Sequence, residues 1–146
     1  MDAGEARVGI AISDPDGRYA IPLEVVPANA AFPAIRTIVE RERAVGIVLG
    51  LARLPSGDEG DAARMARRLG RRLERLGVPV EYEDETLTSR AAEARQAESA
   101  GGTGSRGRPA DDIAASLILQ QFLDRQAARA ADTPGDEAGK RPDAEA

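Results

Sequence analysis

Apolar residues along this chain fall into two kinds of run. Some are short and nearly continuous: RVGIAIS over residues 7–13, a second stretch from about Arg18 to Val26, AVGIVLGL over 44–51 and VPVEYEDE over 78–85. Runs of this length bounded by turn residues read as β-strands. DPDG at 14–17 separates the first two and predicts a tight hairpin turn. The third run is β-branched and apolar at almost every position, the pattern of a strand covered on both faces in a parallel sheet. In the fourth, Val78, Val80 and Tyr82 alternate with Glu81 and Glu83, which predicts apolar side chains inward and glutamates outward.

The other runs repeat with helical spacing. AFPAIRTIVERER (31–43) places Phe32, Ile35, Ile38 and Val39 on one face and Arg36, Glu40, Arg41 and Arg43 on the other. Met65, Leu69, Leu73 and Leu76 recur at intervals of four, four and three, and Gly77 and Pro79 end that helix. TLTSRAAEARQAESA (86–100) predicts a further helix capped by Thr88 or Ser89, and GGTGSRGR (101–108) a mobile basic loop. After Pro109, a last helix capped by Asp111 or Asp112 presents Ile113, Leu117, Ile118 and Phe122. Residues 127–146 have no periodicity and no large apolar side chain, and read as a disordered acidic tail. A hairpin followed by strands alternating with helices predicts an α/β domain over 1–126 with a mixed central sheet flanked by helices.

Composition narrows the chemistry. With no cysteine and no histidine among 146 residues, disulfides, thiolate nucleophiles, histidine bases and nearly all zinc sites are excluded. What remains is carboxylates, hydroxyls, arginines or a metal held by oxygen. No stretch approaches a membrane span or a secretory signal, which predicts a soluble, cytoplasmic protein. The net charge of −5 argues against a nucleic-acid partner, but its distribution does not. Arg64, Arg67, Arg68, Arg71, Arg72 and Arg75 crowd one segment, and Arg106 and Arg108 sit in the glycine loop.

Acidic residues fall where an α/β sheet presents function: Asp2 ahead of the first hairpin, Asp84 and Glu85 closing the last strand, Asp111 and Asp112 opening the last helix. Carboxylates gathered at one sheet edge would repel one another unless a hard divalent cation, Mg²⁺ or Mn²⁺, lay between them. Two such ions roughly 4 Å apart hydrolyse a phosphodiester without histidine. Taken singly, each acid also has a plain reading as a solvated terminus, a turn residue or an N-cap, and the arginine stripe as a solvated face.

Four ordered motifs change the balance. DAGEARVGIAISD (2–14), IVLGL (47–51) with SGDEG just after, DETLTS (84–89) and DDIAASLILQ (111–120) resemble the YqgF/RuvX family over about residues 1–126. That family is described both as pre-16S rRNA nucleases and as Holliday junction resolvases. The resemblance implies a ribonuclease H-like fold, divalent-metal nuclease chemistry with two Mg²⁺ or Mn²⁺ ions, and a cytoplasmic role in maturing the 5′ end of small-subunit rRNA. By position, it assigns catalysis and metal binding to Asp2, Glu85 and Asp111, with Asp84 and Asp112 ranked below them. Arg7 matches the family's hairpin arginine. Arg7, Arg64, Arg68, Arg71, Arg106 and Arg108 are the candidate nucleic-acid contacts. The expected partner is structured pre-rRNA, with a four-way DNA junction as the alternative and a non-catalytic RNA-binding assembly module as a second class. A monomer or homodimer is expected. Two lobes clamping ATP, as in sugar kinases, do not fit in 146 residues. The chain departs from the family pattern in having only Met1 before Asp2, which predicts a shortened first strand, and in Ala6 and Ala52 where lysine and proline are usual.

Overall fold

The computed structural model describes residues 1–85 and 110–132, without the side chains of residues 110 and 111. The predicted helix over 86–100, the loop over 101–108 and residues 133–146 lie outside the described residues. Strands β1 (Asp2–Ala3), β2 (Arg7–Ser13) and β3 (Ala20–Pro27) form an antiparallel sheet. Strands β4 (Ile47–Leu51) and β5 (Val80–Asp84) pair in parallel, Ile47 opposite Val80 through Leu51 opposite Asp84. Met1 joins the two sets. Its amino group donates to the Val48 carbonyl at 2.6 Å, and its carbonyl accepts from the Gly50 N–H at 3.0 Å. This is the slanted pattern of a parallel pair. It produces one mixed five-strand layer in the order β3-β2-β1-β4-β5, with β2 running against the rest.

Strand β3 begins at Ala20, two residues later than the pattern predicted. Asp14 Oδ1 accepts from the Arg18 N–H at 2.7 Å and the Tyr19 N–H at 3.0 Å, holding both in the turn, where Gly17 takes φ 68°. Helix α1 (Ala31–Glu42) buries Ile35 and Ile38, as its spacing predicts, together with Ala31, and leaves Phe32 and Val39 of the predicted face half-buried. Helix α2 (Asp61–Leu73), continued by a 3₁₀ turn at Glu74–Leu76, does not seat the predicted leucine line squarely. Its buried stripe is Ala63, Ala66, Gly70 and Leu73, with Met65, Leu69 and Leu76 only half-buried beside it. Small residues bring the helix close to the sheet: a Cβ on Gly70 would run into the Tyr82 hydroxyl and lie 3.1 Å from Leu49 Cδ1.

Helix α3 (Ala110–Asp132) covers the other face of the sheet. It starts at Ala110, so Asp111 and Asp112 occupy its first turn and are not its caps. It also continues through 127–132, beyond the boundary predicted at 126, because DRQAARAAD contains only good or tolerable helix formers. Ala115 and Ile118 are its buried apolar positions. The remaining departure is in β5. Glu83, predicted to face outward, is 1 % exposed, because β5 is sandwiched between α2 on the Tyr82 side and α3 on the Glu83 side. A cleft of about 470 Å³ opens between β2 and the start of β4, at the sheet edge remote from Glu85, and apolar side chains such as Ile10, Ile12, Ile35 and Ile47 dominate its lining.

Candidate active site

β1 and β5 end at the same edge of the sheet, with β4 between them. Asp2 is half-buried in β1, next to the hairpin closed by the Gly4 N–H to Arg7 carbonyl bond at 2.8 Å. Glu85 follows β5 directly, its N–H donating to the Leu51 carbonyl at 3.1 Å. The two carboxyl groups meet in a hydrogen bond, which requires one of them to keep its proton. Burial is the main cause that pushes Glu85 up to about 7, with the charge of Asp2 and the bond to it next. Below about pH 7 Glu85 is therefore the member of the pair that favours keeping a proton, with Asp2 as its acceptor.

Gly50 makes room for this pair. A Cβ there would lie 2.5 Å from Glu85 Oε2 and 2.6 Å from Ile118 Cδ1, so the glutamate packs against bare backbone of β4 with α3 behind it. The first turn of α3 adds Asp112, 7 % exposed, whose Oδ1 has no hydrogen-bond partner among the described residues. A buried carboxylate oxygen left so is costly in the absence of a further group. Asp111 sits in the same turn, but its side chain lies outside the described residues. Among the described residues no three acidic side chains converge on one point; Asp2 and Glu85 do meet. Asp84 instead faces solvent and pairs with Arg53 Nε at 3.4 Å, an arginine the sequence reading did not single out.

The arginines divide by role. Arg67 is bound through its Nε to Glu59 Oε2 at 2.8 Å, and its guanidinium lies over the Tyr82 ring at 5.0 Å from the centroid. Arg72 covers the Phe32 ring at the same distance. These two hold α2 in place. Arg64 pairs with Asp61 one turn back. Arg68, Arg71 and Arg75 are exposed on the outer face of α2 and its 3₁₀ extension, and form no ion pair among the described residues. Arg68 also lines a recess of about 310 Å³ with Ala3, Gly4, Glu5, Asp61 and Met65, beside the hairpin that carries Asp2. Arg7 is exposed at the start of β2, opposite Pro27. Arg106 and Arg108 lie outside the described residues.

A family model described as "RuvX: Holliday junction resolvase" matches residues 1–125. This chain belongs to the RuvX family. Its arrangement is the ribonuclease H-like one, a mixed sheet opened by an antiparallel hairpin and covered by helices. Curated relatives span most of the chain. A protein of Frankia casuarinae is 40 % identical over 137 residues, covering 90 % of this chain and 68 % of the relative. One from Lactobacillus delbrueckii subsp. bulgaricus is 37 % identical over 134 residues, covering 86 % and 94 %. One from Rhodococcus jostii is 40 % identical over 149 residues, covering 93 % and 83 %. Each of the three bears the name "Putative pre-16S rRNA nuclease". RuvX membership makes the chain a hydrolase of phosphodiester bonds, and its substrate class is nucleic acid.

Proposed function

We propose that this RuvX chain is a divalent-metal-dependent nuclease that trims the 5′ end of pre-16S rRNA in the cytoplasm, with Asp2, Glu85 and Asp111 holding Mg²⁺ or Mn²⁺. The observation that carries the reading is the Asp2–Glu85 pair: two carboxyls brought together at the sheet edge, where burial and the charge of Asp2 push Glu85 up to about 7. The donor set fits a hard cation, because it is all oxygen, partly dehydrated and negatively charged once Glu85 is ionised. The orphaned Asp112 oxygen is a further candidate donor beside Asp111. Such ions, when bound, supply a water of lowered pKa and charge stabilisation for the leaving oxygen.

The chain's own groups do the rest. Asp2 and Glu85 would hold the cation, with full charge on the pair only when Glu85 is ionised. Gly50 keeps the glutamate folded against β4. Arg64, Arg68 and Arg71 rise along α2 over about 10 Å, a spacing suited to successive phosphates of one strand. The test is cleavage of a pre-16S rRNA 5′ fragment by the purified protein with Mn²⁺ and with chelator. Metal-dependent cleavage that Asp2→Asn abolishes is the expected result, and unchanged cleavage by that variant would remove the proposal. The family's description favours a second substrate, a four-way DNA junction, which the same assay ranks against the RNA.

A further inference from the structure

Two neighbouring glutamines near the middle of α3 reach opposite edges of the sheet. Gln120 Oε1 accepts from the Ala20 N–H at 2.9 Å, and its Nε2 donates to the Arg18 carbonyl at 2.8 Å, so both ends of one amide are tied to the start of β3. Gln121 Nε2 donates to Glu83 Oε1 at 2.7 Å and to the Asp84 carbonyl at 3.1 Å, at the end of β5. Arg125, one turn on, faces the other oxygen of Glu83. Both contacts to the buried Glu83 carboxylate thus come from α3, a hydrogen bond to Oε1 and an ion pair at Oε2, which has no hydrogen bond among the described residues.

Stability alone gives little reason for this arrangement. Burying a charge costs several kcal/mol, and an apolar group of similar volume would serve the interface as well or better. What polar ties add is register. One anchor leaves a helix free to roll or slide over a sheet, whereas two anchors on opposite edges fix both motions. α3 is a continuous rod from Ala110 onward, so its position at Gln120 and Gln121 is transmitted to its acidic first turn about 13 Å away. The Gln121 anchor also lands on Asp84, next in chain to Glu85, while Ile118 on the same helix packs at Gly50 and Glu85.

We infer that Gln120 and Gln121 are positioning residues, a two-point anchor that sets the span between Glu85 and the acidic first turn of α3. The inference rests on the proposed role of those acids in metal binding. Its test uses Gln121→Met and Gln120→Met, which keep side-chain volume and remove the amide, with Ile38→Val in the core under α1 as a control for lost stability. Mn²⁺ affinity by calorimetry, kcat and KM on the RNA fragment, and hydrogen exchange at the Glu85 amide are measured for each. Expected for Gln121→Met is a loss of about 10-fold in Mn²⁺ affinity and kcat, the size seen when support behind a metal ligand is removed. KM should stay unchanged, and Glu85 exchange should quicken several-fold. Gln120→Met should lower Mn²⁺ affinity and kcat in the same sense without quickening Glu85 exchange, and Ile38→Val should leave affinity and kcat at the wild-type level. Wild-type affinity and kcat in both glutamine variants, or an equal loss in Ile38→Val, would overturn the inference. If the wild-type protein neither binds Mn²⁺ nor cleaves RNA, the nuclease reading fails first. The exchange arm then decides the anchor separately: unchanged Glu85 exchange in Gln121→Met overturns it.

Discussion

Replacing Glu85 with glutamine in metal-free protein should make stability less sensitive to pH in a defined window. Burial and Asp2 hold the Glu85 carboxyl up at about 7, against an ordinary value of about 4.3. Because the folded state binds this proton more tightly than the unfolded chain, the contribution is fully present below the unfolded value. It is lost as pH rises through the folded one. The full displacement corresponds to roughly 3.7 kcal/mol, and the partial exposure of the group reduces this to about 2 kcal/mol. The Met1 amino group works in the opposite sense. Its own burial pushes it down to about 6, although the Asp2 and Glu85 charges pull it back up, so the folded state favours the neutral amine and gains stability as pH rises from about 6 to 8. The two oppose one another in the wild-type profile between about pH 6 and 7, so the informative quantity is the difference between variant and wild type. Glutamine keeps a donor for Asp2 and cannot ionise. Urea unfolding in chelator should therefore show Glu85→Gln gaining about 2 kcal/mol relative to wild type between about pH 4.5 and 7, and nothing more above that. A difference that stays flat across this range would refute the buried pair as the structure shows it.

Four further outcomes follow from the same contacts. Millimolar Mn²⁺ should raise the melting temperature of the wild-type protein at pH 8 and that of Asp2→Asn far less, since a cation binding only the folded state stabilises it by mass action. Asp2→Asn should also lower cleavage by more than about 100-fold, beyond what loss of a supporting residue costs. Gly70→Ala should destabilise by about 1–3 kcal/mol in a chemical melt, because its Cβ meets the Tyr82 hydroxyl with Leu49 behind. Alanine at Arg68, Arg71 and Arg75 together should flatten the salt dependence of RNA binding by about two to three counterions while leaving the melting temperature unchanged, whereas Arg67→Ala should lower the melting temperature and leave that slope alone.

How much of this could be read from sequence depended on whether a residue's setting is local. β2, α1 and β4 follow from apolar spacing, because each buries its own pattern against the sheet. Asp2 and Glu85 stand 83 positions apart, and no periodicity joins them; their order among family motifs pointed to both, and the parallel β1–β4 and β4–β5 pairings bring them together. Alternation places Glu83 outward because it describes a strand with one wet face, whereas α3, distant in the chain, covers that face. The Met65–Leu69–Leu73–Leu76 line was followed by size, yet close approach to Tyr82 selected the stripe of alanine and glycine. Arg67 and Arg72 look identical to their neighbours in sequence, and only the rings of Tyr82 and Phe32 set them apart.

The central claim is that Asp2 and Glu85, with the acidic first turn of α3, form one cation site. Crystals soaked in millimolar Mn²⁺ and measured at the manganese absorption edge test it most directly. The account predicts an anomalous peak in contact with carboxylate oxygens of both Asp2 and Glu85. Manganese found only elsewhere on the protein, with the Asp2 and Glu85 carboxyl groups still in contact with each other, would contradict it.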